Sequence, residues 1–225
     1  MKDKNKALVI HMNRFLYRNP LEHYSGDLAP SFYAWLAEAR GMKREYFLLE
    51  EAYKKGMKSG PLLLRETYEL VTRGLSEEDF NYLCHRYHQS FFSQAASSAL
   101  FRISHQMQVL ILGSYPKEVY ETWEASMLAE KVFGAEAVKV NRMITSLKKI
   151  FIAKPELVFP YLQCAGYGDK PFPDIPHRWG LLALLVDYAI QQGISPQNIT
   201  VLGKGETSEP LQRFAGRTIT DINDL

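Results

Sequence analysis

The stretch KALVIHMNRFLYRN, Lys6 to Asn19, decides the fold. Its apolar run, Ala7 to Ile10, is short and continuous, which is typical of a strand that is buried on both faces of a parallel sheet. The run ends in the polar side chains of His11, Asn13 and Arg14. Because ligands collect where the strands of an α/β sheet end, we expect a functional site at this point.

The composition is that of a globular protein with a substantial core. The chain has 225 residues, of which 46% are apolar and 23% are charged, and its net charge is only +2. Basic residues interleaved with aromatics do not form a stripe, so we expect no nucleic-acid partner. The first apolar run is too short for a signal peptide, and no window is long enough to span a membrane. We therefore expect a cytoplasmic protein that does not bind membranes.

The two cysteines, Cys84 and Cys164, make no paired motif of the kind that holds zinc. We expect both to be reduced, buried thiols in a reducing compartment. Cys84 and His88 have the four-residue spacing that can hold a metal on a helix. Only two such ligands face the same way, however, so a surface or half-buried helix face is the favoured interpretation.

A helical block follows the first strand. From about Pro30 to Gln94 the apolar periodicity is helical, and Phe80, Leu83, Tyr87 and Phe91 repeat at spacings of three and four. Ser76 followed by Asp79 resembles a capping box at the start of one of these helices. The aromatic side chains of the block are predicted to pack mainly between its own helices.

Strands and helices then alternate. A second buried strand is predicted at Met107 to Leu112. The next helix is predicted to begin at Pro116, to present Val119, Trp123, Met127 and Val132, and to stop at Gly134. The remaining predicted elements are paired strands at Glu136–Ile144 and Lys148–Ala153, a glycine- and proline-rich loop at 165–177, a helix at Trp179–Gly193, a strand at Asn198–Gly203 and a last strand at Arg217–Ile222.

This order predicts an α/β protein with a Rossmann-like parallel sheet flanked by helices and an inserted all-helical cap. The predicted domains are an α/β core of residues 1–18 and 100–225 and a cap of residues 19–99. The residues that follow the runs ALVI, VLIL and TVLG are the candidates for function, since those three strands should end at one edge of the sheet.

Three stretches carry a resemblance to a known family. VIHMNRFL (Val9–Leu16) resembles the first motif of the haloacid dehalogenase-like (HAD) superfamily, and VLILGSYPKEV (Val109–Val119) resembles the second. NITVLGKGETSEPL (Asn198–Leu211) is similar to the fourth motif, although the tail after it is unusually short. Order and spacing match over nearly the whole chain, and the early cap is like that of the phosphoserine phosphatase-like branch.

The resemblance implies a particular chemistry. In the family, the first aspartate attacks phosphorus and forms an aspartyl-phosphate, and a second aspartate two residues later acts as general acid and base. A serine or threonine and a lysine hold the phosphoryl group, while acids of the fourth motif help to bind magnesium.

The matching positions of this chain lack the required acids. The nucleophile position falls on His11, the acid/base position on Asn13, and the following Gly-Thr on Arg14 and Phe15. In the other motifs the positions are, in chain order, Gly113 with Ser114 one place out of register, either His177 or Arg178 for the lysine, and Lys204 and Ser208 for the acids, with Glu206 and Glu209 displaced. We therefore expect no catalytic residue among them, no bound magnesium and no other cofactor.

These substitutions predict that the metal-dependent phosphatase reaction does not run. The Asn13 amide does not titrate near neutral pH, and the Lys204 ammonium would oppose a cation at short range. The favoured hypothesis is a HAD-like pseudoenzyme that binds a ligand or a protein partner. The alternative is an active hydrolase or phosphotransferase with altered residues, in which His11 is the nucleophile.

The same substitutions place cationic side chains where the family has acids. If His11, Arg14, Arg178 or His177, and Lys204 converge, they could hold a small anionic ligand through charge-assisted hydrogen bonds. In the plainer interpretation these charges simply face solvent. A cap rich in exposed aromatics would also favour a homodimer or another protein partner.

Overall fold

A computed structural model describes residues 2–11, 13–18, 29–135, 137–147, 177–203 and 209–225. In chain order its elements are β1 (Asp3–His11), α1 (Asn13–Leu16), α2 (Phe32–Ala39), α3 (Lys43–Lys54), α4 (Gly60–Thr72), α5 (Glu77–Phe91), α6 (Gln94–Ser104), β2 (Met107–Pro116), α7 (Lys117–Ala125), β3 (Lys131–Ala135), β4 (Ala137–Val140), β5 (Met143–Leu147), α8 (His177–Gln192), β6 (Ile199–Gly203), α9 (Glu209–Phe214) and β7 (Arg217–Ile219), with short 3-10 turns at Pro196–Asn198 and Ile222–Asp224.

The main sheet has five strands in the order β3-β2-β1-β6-β7, and all of its pairs are parallel. Alternate residues of β1 and β2 enter two apolar clusters on opposite faces. Leu8 and Val109 belong to the face that packs against the cap side, and Val9 and Leu110 to the face covered by α8. The predicted parallel α/β fold with flanking helices is confirmed, because the continuous apolar runs are buried on both sides.

The inserted helices pass back to the sheet through two paired linkers. Tyr17 and Phe92 form an isolated antiparallel bridge. The Arg18 N–H donates to the Phe91 carbonyl at 2.6 Å, and the Ser93 N–H donates to the Leu16 carbonyl at 2.8 Å. Helix α6, which follows, packs against β2 and α1. The domain bounds stay a prediction, and the boundary predicted between 99 and 100 falls inside α6.

The cap is packed onto the sheet as part of one core. Phe32, Phe80 and Tyr87 of the cap helices share a buried apolar cluster with Leu8 and Val109 of the sheet. The hairpin of β4 and β5 adds backbone bonds to the cap. Its Ile144 N–H donates to Leu75 at 3.1 Å, and its Arg142 carbonyl accepts from Glu77 at 2.7 Å. The cap is therefore packed directly against the sheet through the residues of this shared cluster.

The helix predicted from Pro116 to Gly134 is confirmed in its first half, where it presents Val119 and Trp123, but its continuation to Gly134 is wrong. Pro116 is the cap residue before α7, and the helix ends at Ala125. Met127 then has a positive φ of 57°, and residues 131–135 form β3 instead, with Val132 opposite Ile111 of β2. Val132 continued the helical spacing, but the hydrogen bonds available along the open edge of β2 prevail over that periodicity.

The predicted hairpin is correct in kind but wrong in register. Its turn lies at Asn141 and Arg142, which have positive φ values of 50° and 62°, so the chain reverses inside the first predicted strand. The second predicted strand, Lys148–Ala153, lies outside the described residues. The predicted loop also lies outside them from residue 165 to residue 176. Among the described helices, none is both long and apolar enough to cross a bilayer.

Candidate functional site

The strands β1, β2 and β6 end at the same edge of the sheet. His11, the last residue of β1, lies opposite Gly203, the last residue of β6. Its half-buried imidazole reaches β2, where Nδ1 lies 2.8 Å from the Leu112 carbonyl oxygen. Because a carbonyl only accepts, Nδ1 carries a proton.

The Asn13 side chain is fixed at both ends of its amide. Asn13 opens α1, and its Nδ2 donates to the Ser114 hydroxyl at 3.2 Å. Its Oδ1 accepts from the Tyr120 hydroxyl at 2.6 Å, while that hydroxyl in turn accepts from the Tyr115 N–H at 3.2 Å. The backbone donor dictates the direction of the whole chain of bonds. Asn13 thus acts as a structural link between α1, β2 and α7.

Gly113 is required by the position of Tyr120. A Cβ placed on Gly113 would lie 1.8 Å from the Tyr120 hydroxyl oxygen, far inside any allowed contact. The ring of Tyr120 therefore occupies the space beside Gly113 at the end of β2. The neighbouring Ser114, which the sequence placed one position out of register, contacts Asn13 instead.

Cap and core together fill the region behind the strand ends with what we call the aromatic cluster, whose members are Tyr17, Phe32, Tyr33, Tyr87, Tyr115, Tyr120 and Trp123. The rings of Tyr115 and Tyr120 stack with centroids 5.9 Å apart and planes 7° apart. From the cap, the Tyr33 hydroxyl donates to the Ser114 carbonyl at 2.9 Å. This cluster packs the cap against the ends of the strands.

The tyrosines of the aromatic cluster cannot act as bases. Burial raises the pKa of Tyr17, Tyr33 and Tyr120 well above the ordinary value of a phenol. They remain neutral donors over the whole physiological pH range, and each of these three hydroxyls donates a hydrogen bond to a carbonyl oxygen.

The predicted cationic residues are only partly located. Arg14 lies on α1 with an exposed side chain. His177 and Arg178 open α8, but nothing is described of their side chains. Lys204, Glu206 and Ser208 lie outside the described residues. Glu209 begins α9 and pairs with Arg213 one turn later. Convergence of the cationic residues therefore stays a prediction.

The described donor set at the strand ends does not fit magnesium. Mg²⁺ prefers six oxygen ligands, several of them carboxylates or water. His11 offers nitrogen, and the Asn13 oxygen already accepts from Tyr120. Within the described ranges, no three His, Cys, Asp or Glu residues are grouped to hold a metal. No step of a reaction is therefore assigned to a metal here.

Cys84 and His88 lie on a helix face that is buried, more deeply than the surface or half-buried face that the sequence favoured. Both side chains are buried in α5, and the Cys84 thiol is free. Burial raises the pKa of that thiol, so it stays protonated and is a poor ligand. Cys164 lies outside the described residues.

The geometry defines a class of protein: a parallel α/β sheet with an inserted helical cap that closes over the ends of its strands. Within this class the chain has a HAD-like fold. It is similar to a HAD-family hydrolase from Salmonella enterica serovar Typhi, with a TM-score of 0.66 and 15% identity over 96% of this chain and 62% of the hydrolase. The chain thus spans less than two thirds of that hydrolase.

Two further solved structures are similar. A substrate-bound phosphoserine phosphatase has a TM-score of 0.62 and 11% identity over 96% of this chain and 86% of its own. A protein of unknown function from Bordetella pertussis Tohama I has a TM-score of 0.66 and 10% identity over 96% and 89%. No family model matches the sequence, and no curated protein matches it. These likenesses establish the fold.

Sequence reasoning located the strand ends but missed the residue that fills them. Tyr120 was not singled out, although it lies three residues before Trp123 on the inward face of α7. The sequence signal for Tyr120 is a glycine at the strand end, Gly113, followed by a large side chain on the buried face of the next helix, α7. Tyr33 was missed because its partner, the Ser114 carbonyl, is distant in sequence.

Proposed function

We propose that this HAD-like chain does not hydrolyse phosphate esters with magnesium and acts by binding a ligand or a partner. The observation that carries the proposal is the Asn13 amide, which is bonded to the Ser114 hydroxyl and the Tyr120 hydroxyl. An amide in this position has no proton to give and take at neutral pH. Both of its ends also support the fold, so it is a structural residue.

The aromatic cluster supports the same conclusion. A substrate that entered between cap and sheet would have to separate Tyr33 of the cap from the Ser114 carbonyl, at 2.9 Å. It would also have to open a buried apolar core that the two parts share. Such an opening costs free energy in proportion to the apolar area exposed. In the proposed function, the cap therefore stays closed on the sheet.

A direct test is to restore the family's acids. The triple variant His11→Asp, Asn13→Asp and Lys204→Asp should show no magnesium-dependent hydrolysis of p-nitrophenyl phosphate, because Tyr120 still occupies the space beside Gly113. Circular dichroism should first confirm that the variant is folded. Turnover in the folded variant would show that only the acids are missing, and would overturn the role given to the aromatic cluster.

For the ligand we propose a small anion at the strand ends, held without a metal by His11, Arg14, Lys204 and Arg178 or His177. The described part of this site is the half-buried His11 beside the exposed Arg14. Charge-assisted hydrogen bonds from such groups are stronger than neutral ones. The proposal rests on the cationic side chains that stand where the resembled family has acidic ones.

Inorganic phosphate tests this site by thermal shift. Phosphate should raise the Tm of the native chain, and chloride at equal ionic strength should not. The increase should disappear in Lys204→Gln and in His11→Gln. The control Lys54→Gln removes an equal charge from the exposed end of α3 and should leave the increase unchanged. An equal increase in all four proteins would exclude the site.

The second candidate function is phosphotransfer through His11. It is favoured by the bond from Nδ1 to the Leu112 carbonyl, which orients the ring and leaves Nε2 as the nitrogen that would attack phosphorus whenever the ring is neutral. A phosphohistidine on the native chain, detected by mass spectrometry after incubation with acetyl phosphate and absent in His11→Ala, would support this candidate over the first.

A protein partner, including a second copy of the chain, is also proposed for the cap. Apolar side chains on its described surface are exposed, with Leu48 at 58% and Tyr82 at 61%. Analytical ultracentrifugation of the native chain and of Leu48→Ser tests for a dimer. A native dimer that becomes a monomer in the variant supports this surface, and a native monomer excludes the homodimer.

A further inference from the structure

A groove of about 450 Å³ lies where α5, α6 and α7 meet, next to the linkers that join the cap to the sheet. It is separate from the strand ends, since neither His11 nor Asn13 lines it. Phe92, Trp123 and Leu128 supply apolar surface. This volume and lining are typical of a site for one small organic molecule.

The polar lining of the groove consists of hydroxyls, one amide and two imidazoles. Ser97, Thr122 and Ser126 supply the hydroxyls, Gln89 the amide, and His85 and His88 the imidazoles. None of the described residues that line the groove is a carboxylate, an ammonium or a guanidinium. A charged ligand would lose hydration here without gaining a counter-charge. The lining therefore favours a neutral molecule.

His88 lies in the wall of this groove and is positioned to accept a hydrogen bond. The residue is only 7% exposed, and its Nδ1 lies 3.4 Å from the Tyr17 hydroxyl. That hydroxyl donates to the Val119 carbonyl at 2.8 Å and accepts from the Trp123 Nε1–H at 3.2 Å. The Tyr17 hydroxyl has already donated its one proton to Val119. His88 must therefore donate to the hydroxyl oxygen, so Nδ1 carries the hydrogen.

The opposite nitrogen of His88 is therefore a lone-pair acceptor. The His88 ring lines the groove, so Nε2 is the acceptor that it can offer to a ligand there. Burial lowers the pKa of His88 to about 4, so the ring stays neutral and keeps this acceptor near pH 7. An acceptor on a side chain that is only 7% exposed favours a ligand with a hydrogen-bond donor.

We propose that this groove binds a neutral, planar heterocycle that stacks on its aromatic wall and donates an N–H to Nε2 of His88. The ligand would contact the cap through α5 and the core through α7 at the same time. This site does not depend on whether the strand ends are catalytic.

Indole and benzofuran are matched probes of this site, because they have the same shape and differ in one N–H. In a protein-detected NMR titration, indole should shift the signals of the His88 and Trp123 rings. Benzofuran should bind roughly three- to tenfold more weakly, the effect of losing one net hydrogen bond. Equal affinity of the two probes, or indole shifts confined to other regions, would overturn the proposal.

Two variants locate the binding. His88→Phe keeps a ring but removes the acceptor, and should make the two probes bind equally. Ser126→Trp places a large side chain in the groove from the exposed end of α7 and should abolish indole binding. The control Ser98→Trp makes the same change at an exposed position of α6 that does not line the groove. Unchanged indole binding in Ser126→Trp would contradict the site.

Discussion

At the scale of single residues, the candidate site is defined by side chains that hold each other in place. Tyr120 fills the space beside Gly113, accepts from the Tyr115 backbone and donates to Asn13. Each member accounts for the next, since a smaller residue at 120 would leave a void and a larger one at 113 would clash. Asn13, Gly113 and Tyr120 therefore form a packed structural unit.

Gly113→Ala should destabilise the protein by about 1–3 kcal/mol, because its Cβ would meet the Tyr120 ring. The measurement is the free energy of unfolding in urea. In the background Tyr120→Ala, which itself costs stability through a cavity, the same glycine substitution should cost much less. If the two costs are additive, Gly113 and Tyr120 are not coupled and this account of the glycine fails.

The buried His88 should make the fold sensitive to acid. Its folded-state pKa of about 4 lies below the unfolded value of 6.5, so the neutral ring contributes stability above pH 6.5. This contribution is lost as the pH falls through the folded pKa. We expect a loss of roughly 2–3 kcal/mol between pH 6.5 and pH 4 from this group.

Urea unfolding from pH 8 to pH 4 measures the effect. The profile of His88→Leu should be flatter than that of the native chain over this range. The matched control is His105→Gln, at an exposed histidine that follows α6, and it should keep the native slope. Parallel profiles for the native chain and His88→Leu would show that His88 does not carry the acid sensitivity.

At the scale of elements, the hairpin of β4 and β5 connects the cap to α7 through charges. Lys139 of the hairpin lies 2.6 Å from Glu77 of α5 and 3.9 Å from Glu118 of α7. The Glu118 side chain is only 7% exposed, and its Oε2 has no hydrogen-bond partner among the described residues. Burial raises the pKa of Glu118, which means that its charge is costly to the fold.

Glu118→Gln should therefore stabilise the protein at pH 7. Because the folded-state pKa is raised, the penalty is absent at acid pH and grows as the pH rises above the unfolded value of 4.5. Lys139 keeps Glu77 as its partner in the variant. The stability difference, measured by urea unfolding, should be positive at pH 7 and shrink toward pH 4. The half-buried Glu124→Gln serves as a control for removal of one charge from α7.

Prediction from the sequence succeeded where one local signal determines an element. The buried runs of β1, β2 and β6 were predicted, and the Ser76 cap is confirmed by the bond from the Asp79 N–H to its hydroxyl at 3.0 Å. Strand β3 was missed because Val132 also fits a helical period, and only the free edge of β2 decides between the two. The choice between helix and strand at Val132 thus depends on pairing with β2, which a local sequence pattern does not contain.

At the scale of the whole molecule, the sequence predicted the HAD-like sheet and cap but not how the cap closes. That positions 11 and 13 carry no acid is visible in the sequence alone. The aromatic cluster draws on α2, α5, β2 and α7, so no local sequence pattern could predict it. The structure thus changes the interpretation of Asn13, from an altered catalytic position to a structural link.

The central claim is that this HAD-like chain does not hydrolyse phosphate esters with magnesium. The most direct measurement is an assay of the purified native chain against p-nitrophenyl phosphate and phosphoserine with magnesium, beside His11→Ala. We predict no turnover above background in either protein. Turnover by the native chain that disappears in His11→Ala would contradict the claim and establish an enzyme with an altered nucleophile.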